Sequence, residues 1–156
     1  MGVVFVTGMS GAGKSTVLGE LGRQGCETVD TDYGFWCHDV DGDVVWDEPK
    51  ISSLLAKERG GVLYLSGTVS NQGRFYDQFD AVVLLSAPHQ VLFDRLATRT
   101  TNGYGKSPAE RAEIGRYLLA VEPLLRESST HEINTDCSVE EVVAALIKIG
   151  AGRATQ

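Results

Sequence analysis

The stretch "VVFVTGMSGAGKST", Val3 to Thr16, decides the fold. Its first residues, Val3–Thr7, form a nearly unbroken apolar run, the pattern of a parallel strand buried on both faces. Gly8 to Thr16 then satisfy G-x-x-x-x-G-K-[ST], and "TVLGELGR" follows with helical composition. A strand, a glycine-rich turn and a helix in this order gather backbone N–H groups and a helix N-terminus around one point, which suits a phosphate. The expected binding set is Gly8, Met9, Ser10, Gly11, Ala12, Gly13, Lys14, Ser15 and Thr16. Within it, Lys14 reaches the β- and γ-phosphates of a nucleoside triphosphate, the Ser15 hydroxyl ligates Mg²⁺, and Thr16 touches the α-phosphate.

Outward from this loop, short β-rich runs alternate with helical patterns. "GVLYL" (Gly61–Leu65) and "AVVLL" (Ala81–Leu85) repeat the buried-strand pattern, and "ETV" (Glu27–Val29) and "HEI" (His131–Ile133) are weaker strands. Asp47 and Pro49 open a helix carrying Ile51, Leu54 and Leu55 on one face, and Pro88 opens another with Val91, Leu92 and Leu96. Ser107-Pro108-Ala109-Glu110 and Ser138-Val139-Glu140-Glu141 each read as a capping box. Strand–helix alternation with buried strands means an α/β fold with a parallel sheet. In such sheets ligands bind at the edge shared by the carboxyl ends of the strands. That edge receives the acids of "ETVDTDYGFW" (Glu27–Trp36), Asp30 and Asp32, with Tyr33, Phe35 and Trp36 directly after them. The segment "HDVDGDVVWDE", with an Asp-Gly turn between apolar residues, reads as a small hairpin that could serve as a second flap.

A chain of 156 residues with 42% apolar and 22% charged content suits one globular domain, here residues 1–150 followed by a fraying tail at 151–156. A formal charge of −7 argues against work on a nucleic-acid backbone. Cys26, Cys37 and Cys137 are an odd, widely spaced set without CxxC spacing, so free thiols in a reducing cytoplasm are expected. "MGVVFVTG" lacks the basic start of a signal peptide, and no apolar run approaches the roughly 20 residues of a membrane span. The expectation is a cytoplasmic protein, monomer or homodimer, without nucleic-acid or membrane partners.

An N-terminal phosphate loop, an acidic pair after the second strand and a glycine turn after the third ("YLSGT", Tyr64–Thr68) occur in order. An Arg-bearing helix leading into a polar, glycine-containing stretch ("LFDRLATRTTNGYGKSPAERAE") and the loop "NTDCS" (Asn134–Ser138) before the last helix complete the series. This order resembles the small phosphate-loop kinases of the adenylate kinase, shikimate kinase and gluconate kinase type, over about residues 2–149. The resemblance implies a three-layer α/β sandwich around a five-stranded parallel sheet, with a small lid at about 100–107. It also implies transfer of the γ-phosphoryl group of Mg-ATP to a hydroxyl or phosphate of a small-molecule acceptor. ATP is favoured because the sequence offers neither an NKxD base-recognition motif nor a DxxG switch after one of its strands.

The same resemblance distributes roles. Asp30 would hold Mg²⁺ through water beside Ser15, and Asp32 would orient or deprotonate the acceptor hydroxyl. Tyr33, Phe35 and Trp36 would wall the acceptor pocket, Gly67 and Thr68 would approach the acceptor, and Arg74 would hold an acceptor anion. Arg99, with Arg95 second, would stabilise transferring charge on lid closure. Asn134 and Asp136 would lie beside the adenine. One departure bears on the acceptor: "EPLL" places Glu122 where shikimate kinases carry an Arg that grips the substrate carboxylate, which makes shikimate doubtful. Two alternatives stand beside this reading. A nucleoside monophosphate kinase would clasp its acceptor phosphate with Arg74 and Arg116, and an ATP-binding regulatory module would have little or no kinase activity.

Overall fold

The computed structural model describes residues 2–99 and 105–154, so residues 100–104 of the lid expected at about 100–107 lie outside the described residues. Five strands, β1 (Gly2–Thr7), β2 (Glu27–Asp30), β5 (Val62–Ser66), β6 (Ala81–Ser86) and β7 (His131–Asn134), form one sheet in the order β2-β5-β1-β6-β7. Every neighbouring pair in it is parallel. Their carboxyl ends, Thr7, Asp30, Ser66, Ser86 and Asn134, therefore share one edge. The helices are α1 (Lys14–Arg23), α2 (Glu48–Ala56), α3 (His89–Thr98), α4 (Pro108–Ala120), α5 (Glu122–Ser128) and α6 (Val139–Ala154), with a 3₁₀ helix over Gln72–Gln78. α6 runs to Ala154, past residue 150 where the sequence led us to expect the end of ordered structure. Among the described residues, no helix is long and apolar enough to cross a membrane.

Alternation along the strands divides the core. Val4 and Val6 of β1, Tyr64 of β5 and Val83 of β6 join a cluster with Val17, Leu18 and Leu21 of α1 and Val142, Val143 and Leu146 of α6. Val3, Phe5, Leu63, Leu65 and Val82 point the other way, onto Trp46, Ile51 of α2 and Phe75. Because side chains of a strand alternate between faces, a run apolar at every position has to be covered on both sides, and here it is.

The Asp-Gly segment forms the expected hairpin, β3 (Cys37–Val40) with β4 (Asp43–Trp46), paired antiparallel. Asp41 and Gly42 both have positive φ, 54° and 84°, as a two-residue primed turn demands. The far end of the hairpin is fixed. Trp46 is buried, and its indole Nε1 donates to Thr31 Oγ1 at 2.9 Å. Its backbone N–H donates to Asn71 Oδ1, and Asn71 Nδ2 donates back to the Trp46 carbonyl. Both sequence-read helix starts at Asp47 and Ser107 are capped, the first by acceptance from the Lys50 N–H and the second by a full capping box with Glu110.

Candidate active site

The turn after β1 is held by conformations open to glycine. Gly11 (φ 85°) and Gly13 (φ 97°) lie in the left-handed region, and Gly13 is the N-cap residue of α1. A Cβ on Gly11 would stand 2.9 Å from the Leu92 carbonyl oxygen, so the close seat of the loop on α3 also requires a glycine. Lys14 opens α1 and curls back over the loop, donating from Nζ to the carbonyls of Gly8 (2.6 Å) and Met9 (3.4 Å). Burial lowers its pKa, opposed by the charges of Asp32 and Asp30 and aided by Arg99.

β2 ends at Asp30, and its carboxylate accepts a hydrogen bond from Ser15 Oγ at 2.6 Å. The other Asp30 oxygen accepts from the Asp32 N–H at 3.1 Å, which sets the turn that carries Asp32 outward. Enclosure by the cleft raises the pKa of Asp32; Lys14 opposes the rise and Asp30 adds to it. One hydroxyl and one carboxylate in contact, on the phosphate side of the loop, fit Mg²⁺, which takes few protein ligands and fills its shell with phosphate oxygens and water. The described residues contain no cluster of three or more His, Cys, Asp or Glu able to hold a metal ion.

Two clefts meet here. The first, about 440 Å³, is lined by the loop and the start of α1 together with Asp32, Tyr33, Arg95 and Arg99. The second, about 380 Å³, is lined on one side by Gly8–Ser10, Lys14, Asp32, Asp43 and Thr68–Ser70, and on the other by Ile114, Tyr117, Val121 and Leu125. Ser10, Lys14 and Asp32 belong to both. Thr68 touches the loop itself, its Oγ1 donating to the Gly8 carbonyl at 2.6 Å. A third, smaller hollow of about 140 Å³ lies between α1 and the β7–α6 connection, lined by Gly13, Thr16, Arg95, Thr135, Cys137 and Val139 among others.

The structure gathers some expected site residues and places others elsewhere. Gly8 to Thr16, Asp30, Asp32, Thr68 and Arg99 converge as described. Arg95 does so in a different capacity: it donates to the Gly11 carbonyl (3.1 Å) and to Thr135 Oγ1 (2.9 Å) and carbonyl (2.7 Å), tying the phosphate loop to the β7–α6 connection. Tyr33 borders the first cleft, but Trp36 and the strongly exposed Phe35 line a shallow apolar groove with Pro49, Lys50, Ser53 and Leu54 of α2. Gly67 admits the hairpin: a Cβ there would lie 2.5 Å from Thr31 Oγ1 and 3.2 Å from the Trp46 ring. Arg74 pairs with Glu48 at 3.0 Å and lines neither cleft. Asn134 spends its side chain on the Asp136 N–H, and Thr135 and Cys137, between and after them, line the third hollow instead. Glu122 is buried and turned to Arg126 (3.3 Å) and His89 (3.8 Å), away from the second cleft.

Residues missed in the sequence are Asp43, Val69, Ser70, Ile114, Tyr117, Val121 and Leu125, which line the second cleft. The Asp-Gly hairpin signal pointed to the region of Asp43, but nothing local links it to the loop.

This sheet order, with the phosphate loop after its central strand, is the fold of the small phosphate-loop kinases. A family profile described as "AAA domain" matches residues 4–116, and the chain belongs to that family. The chain is similar in structure to a shikimate kinase from Acinetobacter baumannii in complex with shikimate (18% identity, 96% of this chain and 92% of that one covered, TM-score 0.66). It is also similar to a gluconokinase from Sinorhizobium meliloti 1021 (20% identity, 99% and 92% covered, TM-score 0.63). A sugar kinase from Janibacter sp. HTCC2649 matches at 20% identity, with 95% and 93% covered and a TM-score of 0.58. The comparison with curated proteins returned no match.

Proposed function

We propose that this protein is an ATP-dependent phosphotransferase that moves the γ-phosphoryl group to a hydroxyl of a small-molecule acceptor. The observation that carries the reading is the junction of two clefts at Ser10, Lys14 and Asp32. A nucleotide laid along Gly8–Thr16 directs its terminal phosphate to that junction, and a molecule in the second cleft meets it there. Likeness to kinases that act on shikimate, gluconate and sugars supports the reaction class.

In this mechanism the loop N–H groups and Lys14 hold the phosphates, and Asp32 orients the acceptor hydroxyl and takes its proton as the new O–P bond forms. Ser15 and Asp30 would hold Mg²⁺, which neutralises charge on the phosphate oxygens when bound. Arg99, at the end of α3, adds positive charge to the nucleotide cleft. Arg95 fixes the loop to the β7–α6 connection, whose hollow with Thr135 and Cys137 suits the base. A nucleoside monophosphate as acceptor has less support, since Arg74 is engaged by Glu48 and Arg116 is an exposed residue of α4 outside the second cleft.

The test is transfer from γ-labelled Mg-ATP to a panel of hydroxyl compounds, with Lys14→Ala as the diagnostic variant. Transfer by the wild type and a loss in kcat/KM of about 100-fold or more in the variant are expected. ATP turnover that is insensitive to every acceptor and responds only to a protein partner would favour a regulatory module instead.

A further inference from the structure

The second cleft specifies what kind of molecule it receives, an inference that rests on the kinase reading above. Among the described residues its lining holds two carboxylates, Asp32 and Asp43, and a single cation, Lys14, already bonded to the Gly8 and Met9 carbonyls and facing the phosphates. Of the arginines around it, Arg99 lines the adjoining first cleft, Arg116 is exposed on α4 outside this lining, and four others are engaged elsewhere. Arg74 is on Glu48, Arg95 on Gly11 and Thr135, Arg126 on Glu122 and Glu132, and Arg111 over the Phe93 ring at 5.1 Å. A carboxylate or phosphate entering this cleft would thus meet two like charges and, among the described lining residues, no guanidinium to receive it.

Asp43 differs from Asp32 in its surroundings. Asp32 feels the Lys14 ammonium, whereas Asp43 has no ion-pair partner among the described residues. It is held in place by Ser70, whose Oγ donates to both of its oxygens (2.5 and 2.6 Å). A carboxylate has about four lone-pair sites, so a single hydroxyl leaves most of its accepting capacity unused. Asp43 is exposed, so water fills the remaining sites until a ligand displaces it, and a positively charged donor forms the stronger bond. Opposite stands an apolar wall of Ile114, Val121 and Leu125, suited to a hydrocarbon or the face of a ring.

We infer that the acceptor is a hydroxyl compound bearing an ammonium group, an amino alcohol or amino sugar in chemical class, and that Asp43 on the β3–β4 hairpin receives the ammonium. Asp32 orients the reacting hydroxyl. The acceptor oxygen bonds to the γ-phosphorus while the bond from that phosphorus to the β–γ bridging oxygen breaks; ADP leaves, and the hydroxyl proton passes to Asp32 and then to solvent. The ammonium takes no part in bond making and sets position alone.

The test compares phosphoryl transfer from Mg-ATP to matched sets of acceptors: amino sugars and amino alcohols, their N-acetylated forms, and hydroxy acids, including glucosamine, N-acetylglucosamine, glucose and gluconate. Amines should exceed their N-acetylated forms in kcat/KM by tenfold or more. Asp43→Asn should raise KM for the amine by at least tenfold while kcat changes less than threefold, and should narrow the gap between amine and N-acetylated acceptor. Preference for a hydroxy acid or neutral sugar, with transfer intact, overturns the acceptor class and leaves the kinase reading standing. An amine KM unchanged in Asp43→Asn overturns the role of Asp43. Mg-ATP binding, measured by calorimetry, without transfer to any member also overturns the acceptor class. Failure to bind Mg-ATP at all removes the kinase reading itself.

Discussion

Asp32 stands at the point where a proton would move, and its environment bears on when it can. Partial enclosure disfavours its carboxylate and Asp30 adds like charge, outweighing Lys14, so its pKa is raised above the ordinary 3.8. If transfer needs the ionised form, activity falls as pH drops through this raised value, above the point where an unperturbed aspartate protonates. Asp32→Asn should therefore lose turnover by about 100-fold or more and also lose that acid limb, measured as kcat/KM against pH. A variant that keeps the limb would assign it to another group. Asp30 and Asp32 were legible because they directly follow a readable strand, which fixes the edge they reach. Arg74 was not: its partner Glu48 lies 26 residues earlier, on a different helix, and no local pattern announces that pairing.

At the scale of elements, the β3–β4 hairpin brings Asp43 to the cleft, and it does so because one end is locked. Trp46 packs edge-on to Phe5 (ring centroids 5.4 Å) and Phe75 (5.7 Å) and donates to Thr31, while Gly67 leaves room beneath it. The hairpin itself was readable from its Asp-Gly turn, but its anchorage was not, because a tryptophan in a charged segment reads equally as a lid residue. Gly67→Ala tests the anchorage. The added methyl would press on Thr31 Oγ1 and the indole, both held by hydrogen bonds, and should destabilise the fold by about 1–3 kcal/mol. For a domain of this size that is a fall in Tm of roughly 3–10 °C, checked by thermal denaturation. An unchanged Tm would mean that the hairpin moves aside at little cost.

For the whole molecule, the sheet edge gathers charge from several parts of the chain: Lys14 from α1, Asp30 and Asp32 from β2 and the turn after it, Arg95 and Arg99 from α3 and its end. A ligand that binds only this folded arrangement stabilises it by mass action, by about 2.7 kcal/mol at a hundredfold excess over Kd. Mg-ATP at that excess should raise Tm by roughly 5–10 °C, and chelation of Mg²⁺ should remove most of the rise. A shift indifferent to chelation would contradict the pairing of Ser15 with Asp30 as a metal site.

The sequence by itself determined the phosphate loop, the parallel sheet and the edge at which chemistry is expected. Each depends on neighbours in the chain: the glycines at set spacing before Lys14, apolar runs of strand length, and acids directly after a strand. Only the tertiary structure decided the second cleft, the one proposed for the acceptor. It is assembled from Asp32, Asp43, Thr68–Ser70 and the face of α4 and α5 bearing Ile114, Tyr117, Val121 and Leu125. Those residues are brought together by the burial of Trp46 and the packing of α4 and α5 on the core, long-range apolar contacts that leave no spacing rule in the chain.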